Sequence, residues 1–399
     1  MTSAVIKWDD INASTVPIGF KVYRSDTPID PNGTLPAPLA TLTRDIFEYE
    51  DTTVVFGNTY YYRVSAYTDT NESFSDEIVA TVKQSVYGSY SSSLQKASWG
   101  STEVGFSKYV SGNIKSITAD VNGNVYVVND TGNDVYKLDA YGNVLWSYSF
   151  TAAVKDVAID NAGNVYAGGD DRTLTKLDAS GALVWSVNPS NSYNYFVSFA
   201  VDAQGFIWCA GTGSTDVGVH LFRVDPNGVL QNNITIDHSG YSKLPHIAVD
   251  DSMNCYILYA YDYSTTSRQC TLIKFDPTMT ELWRVDLGGT NYYLSYSIAV
   301  DPKMQRVYCG TNSNLKAYDF QGNDVSAFTS GYAGASGVAV DNDSNVYIQD
   351  SNYRYRKFDS TMADLGTYTF SGQYFSASGG FEVDPGRYYI QNNLVAPTA

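Results

Sequence analysis

The sequence predicts an all-β protein, with a small β-sandwich followed by a seven-bladed β-propeller. Two observations lead to this fold class. A motif of two short apolar runs around an Asp recurs seven times after residue 110, and residues 5–83 carry strand-like runs without that motif. The repeated part shows no helical periodicity. With 399 residues, 43% of them hydrophobic, the chain is long enough to bury more than one core.

Each copy of the motif, such as ADVNGNVYVV at 119–128, reads as a β-hairpin. An alternating apolar run ends in Asp, a short segment often containing Gly or Asn follows, and a second apolar run closes the copy. Alternation fits a strand, and Gly or Asn adopts the positive φ that a tight turn needs. The spacing between successive aspartates ranges from 40 to 51 residues. The seven residues are Asp120, Asp160, Asp202, Asp250, Asp301, Asp341 and Asp384.

A second strand–turn–strand signature follows six of the seven hairpins, as in KLDAYGNVLW at 137–146 and KLDASGALVW at 176–185. Four strands in each repeat predict the blades of a β-propeller. The last copy, VDPGRYYIQN at 383–392, lacks its second hairpin, and residues 94–110 carry a matching pattern. We therefore expect a closed ring of seven blades, the last one built from both ends of the repeated region, because closure leaves no exposed terminal blade.

The repeats resemble those of NHL-type propellers, in which an apolar run, Asp, a Gly–Asn turn and Tyr–Val precede Lys, an apolar residue, Asp and Gly. Val121 to Val128 and Lys137 to Gly142 follow that pattern, and the resemblance covers residues 94–399. It implies a propeller fold but no single function, since NHL-like propellers include lyases, RNA binders and protein scaffolds.

The repeated Asp admits a structural and a catalytic or calcium-binding interpretation. Asp at the end of a strand can accept hydrogen bonds from the backbone of the following turn. Seven equivalent residues fit a requirement of folding, whereas a catalytic site needs one exceptional blade. We predict that these aspartates are structural, that no residue is catalytic, and that the chain holds neither a metal nor another cofactor.

Three domains or segments are expected: residues 1–84 as the sandwich, 85–93 (SVYGSYSSS) as a linker, and 94–399 as the propeller. The linker is rich in Ser and Tyr and is too short to separate the two domains widely.

The front part resembles a fibronectin type III domain. Trp8 falls at the position of the family's core tryptophan, FKVYRS at 20–25 matches the next strand, and GNTYYYRVSAY at 57–67 makes Tyr60 the tyrosine corner. Only four residues precede the strand at Val5–Trp8, so the family's first strand is expected to be absent or very short. This leaves either an ordinary shortened domain or an exposed edge that a partner chain covers by strand addition.

Composition and motifs argue against several classes of function. The net charge of −17, without a basic stripe, argues against nucleic acid and anionic membranes as partners. No apolar window is long enough for membrane insertion, and MTSAVIKWDD does not read as a secretory signal. Cys209, Cys255, Cys270 and Cys309 form no C-x-x-C pair and are expected to be buried. His220, His238 and His246 match no metal-binding spacing.

A binding surface is expected on the face where the links between blades and the middle loops emerge, because the hairpin turns of the opposite face are small. Tyr next to Ser, Gly and Asn is typical of adaptable recognition surfaces and can stack on sugars. Packing between blades is the alternative role of these tyrosines. The candidate ligand-binding residues are Tyr193, Tyr195, Tyr241, Tyr261, Tyr263, Tyr292, Tyr293, Tyr332, Tyr353 and Tyr374.

These observations favour a non-enzymatic structural or binding protein, and the combination of modules is similar to virion proteins of tailed bacteriophages. Such a protein folds in the host cytoplasm and resides in the tail, the baseplate or the capsid decoration. The front domain would dock on other virion proteins, and the propeller would contact a host-surface glycan or protein. A carbohydrate-active lyase or hydrolase, or a bacterial surface adhesin in an extracellular location, are the alternatives.

Overall fold

The computed structural model describes residues 3–8, 17–54, 58–81, 85–90, 93–98, 104–109, 114–120, 122–129, 133–139, 142–189, 194–213, 218–237, 242–264, 267–290, 297–311, 315–328, 335, 337–341, 343–349, 354–368, 382–383 and 387–389. These residues form strands, turns and loops but no helix, so the predicted all-β class is confirmed. Accordingly, nothing in the described ranges is a helix able to cross a membrane.

The chain divides into two compact units. The first contains Met1–Ser85 together with Pro385–Ala399, and the second contains Val86–Asp384. The strands before residue 85 are β1 (Ser3–Lys7), β2 (Gly19–Ser25), β3 (Ala40–Thr43), β4 (Glu48–Asp51), β5 (Thr59–Tyr67), β6 (Glu72–Phe74) and β7 (Ile78–Thr81).

The strands that follow are β8 (Ser85–Tyr90), β9 (Ser93–Ser98), β10 (Val104–Tyr109), β11 (Ile114–Ala119), β12 (Val125–Asn129), β13 (Asp134–Leu138), β14 (Val144–Ser149), β15 (Val154–Ile159), β16 (Val165–Gly169), β17 (Leu174–Leu177), β18 (Leu183–Val187), β19 (Asn194–Val201), β20 (Ile207–Gly213), β21 (Gly218–Val224), β22 (Leu230–Asp237), β23 (Ser242–Val249), β24 (Cys255–Ser264), β25 (Ser267–Phe275), β26 (Glu281–Thr290), β27 (Ser297–Asp301), β28 (Arg306–Gly310), β29 (Leu315–Asp319), β30 (Gly337–Val340), β31 (Val346–Gln349), β32 (Tyr355–Phe358), β33 (Asp364–Tyr368), β34 (Glu382–Val383) and β35 (Arg387–Tyr389).

The first unit consists of two sheets around one core. One sheet has the order β3-β2-β5-β6, with β7 also paired to β5, and the other has the order β35-β1-β4. Trp8 is 6% exposed and meets Phe20 edge-on at a centroid distance of 5.6 Å. Tyr62 and Val64, alternate residues of β5, complete this core from the facing sheet. Tyr60, the predicted tyrosine corner, accepts a hydrogen bond from Asn58 Nδ2 at 3.3 Å.

The edge beside β1, which one of the two alternatives left open for a partner chain, is occupied by the chain itself. β35 pairs with β1 in parallel, with Ser3, Ala4 and Val5 opposite Arg387, Tyr388 and Tyr389. The hairpin predicted at 383–392 is therefore wrong, because its second run joins the first unit instead of folding back on the first run. A local hydrophobic pattern marks a strand but does not select its partner.

The second unit is built from antiparallel sheets that follow one another along the chain. The four-stranded ones have the orders β11-β12-β13-β14, β15-β16-β17-β18, β19-β20-β21-β22, β23-β24-β25-β26 and β30-β31-β32-β33. The first strand of each sheet contacts the first strand of the next. Each sheet buries apolar side chains on both faces against its neighbours, as in a propeller-type fold.

One further sheet combines strands from both ends of the second unit. Its order is β10-β9-β8-β34, and Val383 of β34 pairs with Val86 of β8. β34 contacts both β11 and β30, so the first strands of successive sheets form a cycle. The closing sheet differs from the prediction, because Ser85–Tyr90, assigned to the linker, forms its second strand.

The sheet β27-β28-β29 is shorter than predicted. AYDFQGNDV at 317–325 was expected to form two strands, but beyond β29 only an isolated bridge joins Tyr318 and Asp324. A side chain replaces part of the missing ladder, because Ser326 Oγ accepts the N–H of Ala317 at 2.9 Å.

Candidate functional site

The repeated aspartates cap the first turn of their sheets. Asp160 Oδ1 accepts the N–H groups of Ala162 and Asn164, both at 2.9 Å. Its Oδ2 accepts Asn164 Nδ2 at 2.8 Å and the hydroxyl of Tyr166 at 2.9 Å. The same four contacts recur at Asp120, Asp250 and Asp341. The predicted structural role is confirmed for these residues; Asp384 lies outside the described ones.

Two copies deviate from this pattern. Asp202 has Phe206 in place of the Asn, and its Oδ2 pairs with Arg223 at 2.9 Å. Asp301 is followed by a turn one residue longer, and its Oδ1 accepts the N–H of Met304 at 3.1 Å. Oδ1 of each of these carboxylates thus also holds its own turn.

At three junctions, Lys and Trp side chains connect one sheet to the second turn of the next. Lys137 Nζ and Trp146 Nε1 both donate to the carbonyl oxygen of Ala179, at 3.3 and 3.1 Å. The lysine also lies 5.2 Å from the centroid of the Tyr126 ring, its cross-strand partner. Equivalent pairs of donors are Lys176 and Trp185 on Pro226, and Lys274 and Trp283 on Phe320.

The turn residue that faces each of these tryptophans is a glycine, which leaves room for the indole. Gly181 in the next turn has a φ of +86°, and a Cβ there would lie 2.7 Å from the Trp146 ring. Gly228 faces Trp185 and Gly322 faces Trp283 in the same way.

At two other junctions, a smaller residue stands at the tryptophan position and a larger one at the glycine position. Asn232 and Ser326 stand where the other sheets carry the tryptophan, and the next turns hold Met279 and Met362 at the glycine position. Both methionines are buried at positive φ. Asn232 Nδ2 keeps the hydrogen bond to the neighbouring turn, at 3.0 Å from Thr278 O. The junctions are thus of two kinds, Trp on Gly and a small residue on Met.

A second set of polar contacts joins the innermost strands. Ser198 Oγ accepts the N–H of Ile247 at 3.3 Å, and Ser297 Oγ accepts the N–H of Val338 at 3.0 Å. Each side chain stands four residues before the repeated Asp, at the strand end opposite the turns. The described residues at this position are Ser116, Asp156, Ser198, His246, Ser297 and Gly337.

Asp156 is the one acid at this position among the described residues. Its carboxylate accepts hydrogen bonds from Ser116 Oγ and from the N–H groups of Val157 and Phe199. Burial raises the pKa of the Asp156 carboxyl, and these hydrogen bonds oppose the rise. Because its partners lie on β11, β15 and β19, the carboxylate joins three sheets.

His246 lies at the same level on β23. Burial lowers the pKa of this imidazole to about 4, so it is neutral at pH 7. The described part of the chain contains no cluster of three or more His, Cys, Asp or Glu that could hold a metal ion. The four cysteines are free and buried, as predicted.

We expect His246 to make the second unit less stable in acid. The unfolded state takes up a proton near pH 6.5 and the folded state only near pH 4, so stability falls as the pH drops through this window. The loss reaches about 3 kcal/mol. His246→Gln should flatten the dependence, as read from urea midpoints at about pH 4.5 and about pH 7. Equal slopes for the variant and the wild type would contradict this expectation; Asp156 titrates in both proteins and cancels in the difference.

Seven of the ten candidate tyrosines lie outside the described residues: Tyr193, Tyr241, Tyr292, Tyr293, Tyr332, Tyr353 and Tyr374. The backbone of the other three belongs to strands, Tyr195 to β19 and Tyr261 and Tyr263 to β24. The loop predicted around Tyr261 and Tyr263 is therefore mostly strand. β24 and β25 continue as a ladder to the pair Ser264 and Ser267.

This ladder is the most extended part of the second unit. β24 has ten residues and β12 five, although each begins five residues after its repeated Asp. The extra residues therefore all extend the end opposite the turns, by roughly 17 Å at the usual rise per residue. β25 and β26 are lengthened with it, to nine and ten residues. We call residues 260–269 the β24–β25 hairpin; it carries Tyr261 and Tyr263 on the face that the sequence indicates for binding.

Comparisons with known proteins agree with this fold. Residues 91–234 match a family model described as outer membrane protein assembly factor BamB. No curated protein matches the chain. Among solved structures, hydrazine synthase of Kuenenia stuttgartiensis is similar with a TM-score of 0.58 and 12% identity, covering 75% of this chain and 93% of that one. Apo AztD from Citrobacter koseri is similar with a TM-score of 0.54 and 11% identity, covering 76% and 98%. The second unit thus has a propeller-like β-fold with BamB-like repeats.

Proposed function

We propose that this chain is a non-enzymatic binding protein, in which a fibronectin type III-like sandwich precedes an NHL-like seven-bladed propeller. Seven blades are supported by the sheets of the second unit, whose first strands contact one another in a cycle closed by β34. The sandwich is supported by the two facing sheets of the first unit and by Trp8 in their shared core.

The observation that carries a binding role is the β24–β25 hairpin. Lengthening strands at one end of a single sheet adds nothing to the contacts that hold the turns at the other end. It does carry Tyr263 past the last residue of β20 in the neighbouring sheet, whereas Tyr261 lies level with that residue, Gly213. Tyrosine supplies a large contact area with a polar tip at low entropic cost.

The state of the described acids supports a role without catalysis. Asp120, Asp160, Asp250 and Asp341 each direct both oxygens at their own turn. Asp156, the exceptional acid of the innermost strands, accepts three hydrogen bonds that join neighbouring sheets. The family model that matches residues 91–234 is named for an assembly factor, which is in line with a role in contacts between proteins.

We further propose that the chain is a component of a tailed bacteriophage particle, in the tail, the baseplate or the capsid decoration. Its first unit would dock on other virion proteins, and the candidate tyrosines would contact a glycan or protein of the host surface. The support is the combination of a small sandwich with a propeller and the tyrosine-rich loops of the proposed binding face.

Immunogold electron microscopy tests the location. Antibody against this chain should label purified virions at one defined part of the particle, and the label should vanish when soluble chain competes for the antibody. Label on uninfected bacterial cells instead of virions would identify an adhesin and contradict the proposal. Release of oligosaccharides from host glycans by the purified chain would contradict the non-enzymatic role.

Substitutions in the β24–β25 hairpin test the binding face. The double variant Tyr261→Ala and Tyr263→Ala should bind host cells at least about tenfold more weakly than the wild type, a loss typical of aromatic hot spots. Leu145→Ala, on the outer strand β14 and 53% exposed, is the matched control and should bind normally. Equal binding by the hairpin variant and the wild type, with both folded by circular dichroism, would assign the contact to another surface.

A further inference from the structure

Within the described part of the chain, the strand β35 is joined to the first unit by a short ladder. Its pairing with β1 consists of three register pairs in a parallel ladder, which is slightly weaker per residue than an antiparallel one. The preceding strand β34 adds two pairs with β8 in the second unit. Only Asp384, Pro385 and Gly386 separate the two strands in the sequence.

The edge that β35 covers is well suited to receive a strand. β1 pairs with β4 through four antiparallel pairs on one side, so its other side offers backbone N–H and C=O groups along SAVIK. Pro is absent from β1, and its single charge is Lys7 at the end. An edge without Pro, a bulge or a central charge accepts another strand readily.

β35 is favoured on its own β1 by proximity, not by the number of contacts. A tethered segment acts at an effective concentration in the millimolar range. The same segment of a second copy presents the same residues in the same register, so exchange loses no ladder pair. Exchange of an identical terminal element is a route to dimers that requires little new interface.

We propose that β35 is an exchangeable strand, and that a second copy of this chain donates its β35 to β1 at high protein concentration. The partner is thus a second copy, bound by strand addition in the register Ser3 to Arg387 through Val5 to Tyr389. This inference is independent of the proposed location and of the tyrosine face.

Two single-cysteine variants detect the exchange. Cα atoms of paired residues in a ladder lie about 5 Å apart, within the range that a disulfide spans. A tagged chain with Val5→Cys and an untagged chain with Tyr389→Cys are mixed, unfolded and refolded together under reducing conditions, and mild oxidation follows only after refolding is complete. The native cysteines interfere little, because burial raises the pKa of thiols such as Cys209 and Cys309 and keeps them unreactive.

The expected result is a disulfide-linked heterodimer whose yield rises with protein concentration. A chain carrying both Val5→Cys and Tyr389→Cys should form an internal disulfide when refolded in dilute solution. The control replaces Tyr389→Cys by Val144→Cys, an exposed residue of β14 that reports random collision. Exchange is refuted if the heterodimer never exceeds the level of this control. Failure of the double variant to close internally would also refute it, since β35 would not then lie on β1.

Discussion

Replacement of Asp250 by Ala is expected to lower the free energy of unfolding of the second unit by about 3–5 kcal/mol, the usual result of removing one partner of a buried ion pair. Asp250 is 3% exposed. Its oxygens accept the N–H groups of Ser252 and Asn254, both at 2.9 Å, and the hydroxyl of Tyr256, also at 2.9 Å. Lys274 Nζ lies 3.7 Å from Oδ2.

The expected loss is large because the substitution leaves the buried ammonium of Lys274 without its carboxylate partner. Burial lowers the pKa of its ammonium, and the carboxylate of Asp250 opposes that fall. Without Asp250, the ammonium loses its counter-ion while the turn loses its acceptor, so two turn N–H groups and the buried hydroxyl of Tyr256 need new partners.

Asp276→Ala is the matched control, because it removes an acid of the same sheet that also caps a turn. Asp276 accepts the N–H groups of Thr278 and Thr280 at 2.8 and 2.9 Å but, within the described part of the chain, has no buried cation beside it. Its loss should cost about 1 kcal/mol. Urea unfolding followed by tryptophan fluorescence measures both variants. Equal losses in the free energy of unfolding would mean that the burial of Asp250 beside Lys274 adds nothing to the stability of the second unit.

The second large effect is expected at the junction of Trp146 and Gly181. Gly181→Met should cost about 3 kcal/mol, part of it for a non-Gly residue at positive φ and part for overpacking against the indole. The double variant Trp146→Asn and Gly181→Met should recover at least about 1 kcal/mol of this loss, because it copies the junction of Asn232 and Met279.

Gly288→Met isolates the backbone contribution. Gly288 has a φ of +87°, against +86° at Gly181, but no described atom lies within 4 Å of the point that a Cβ would occupy there. This variant should therefore lose only the cost of the positive φ, about 1–2 kcal/mol. The three proteins can be compared by thermal and urea unfolding. A double variant that is less stable than Gly181→Met alone would show that the two kinds of junction are not interchangeable pairs.

Much of the fold could be predicted because its signals are local. An alternating run, an Asp and a Gly–Asn turn occupy about ten residues, as at Asp120 and Asp160, and the hydrogen bonds that stabilise them join residues at most six apart. The burial of Cys209, Cys255 and Cys309 follows for the same reason, since each of them lies in a strand-like run beside apolar residues.

The parts that could not be predicted depend on distant partners. RYYIQN reads as a strand, but its pairing with β1 bridges 384 residues of sequence from Ser3 to Arg387. SVYGSYSSS reads as a connector because Ser and Gly are weak strand formers, yet Ser85–Tyr90 fills a place between β9 and β34.

The binding face was only partly accessible to sequence reasoning. Tyr261 and Tyr263 stand among Asp, Ser and Thr, a composition shared by loops and exposed ladders, so the lengthening of β24 was missed. Asp156 was missed as well, although a signal existed. Comparison of the repeats four residues before each Asp finds Ser, His or Gly in the other copies and a single carboxylate in this one.

The two kinds of junction also restrict which sheets of the second unit can be neighbours. A sheet that ends with Trp146 or Trp185 fits only a successor with glycine in its second turn, and one with Asn232 or Ser326 fits a successor with methionine. Exchanging two modules of different kinds would place a methionine against an indole at one border and leave a cavity at another. Circular permutation would therefore keep every junction, whereas shuffling or duplication of a module keeps them only where its turn residue and its outer-strand residue match those of the new neighbours.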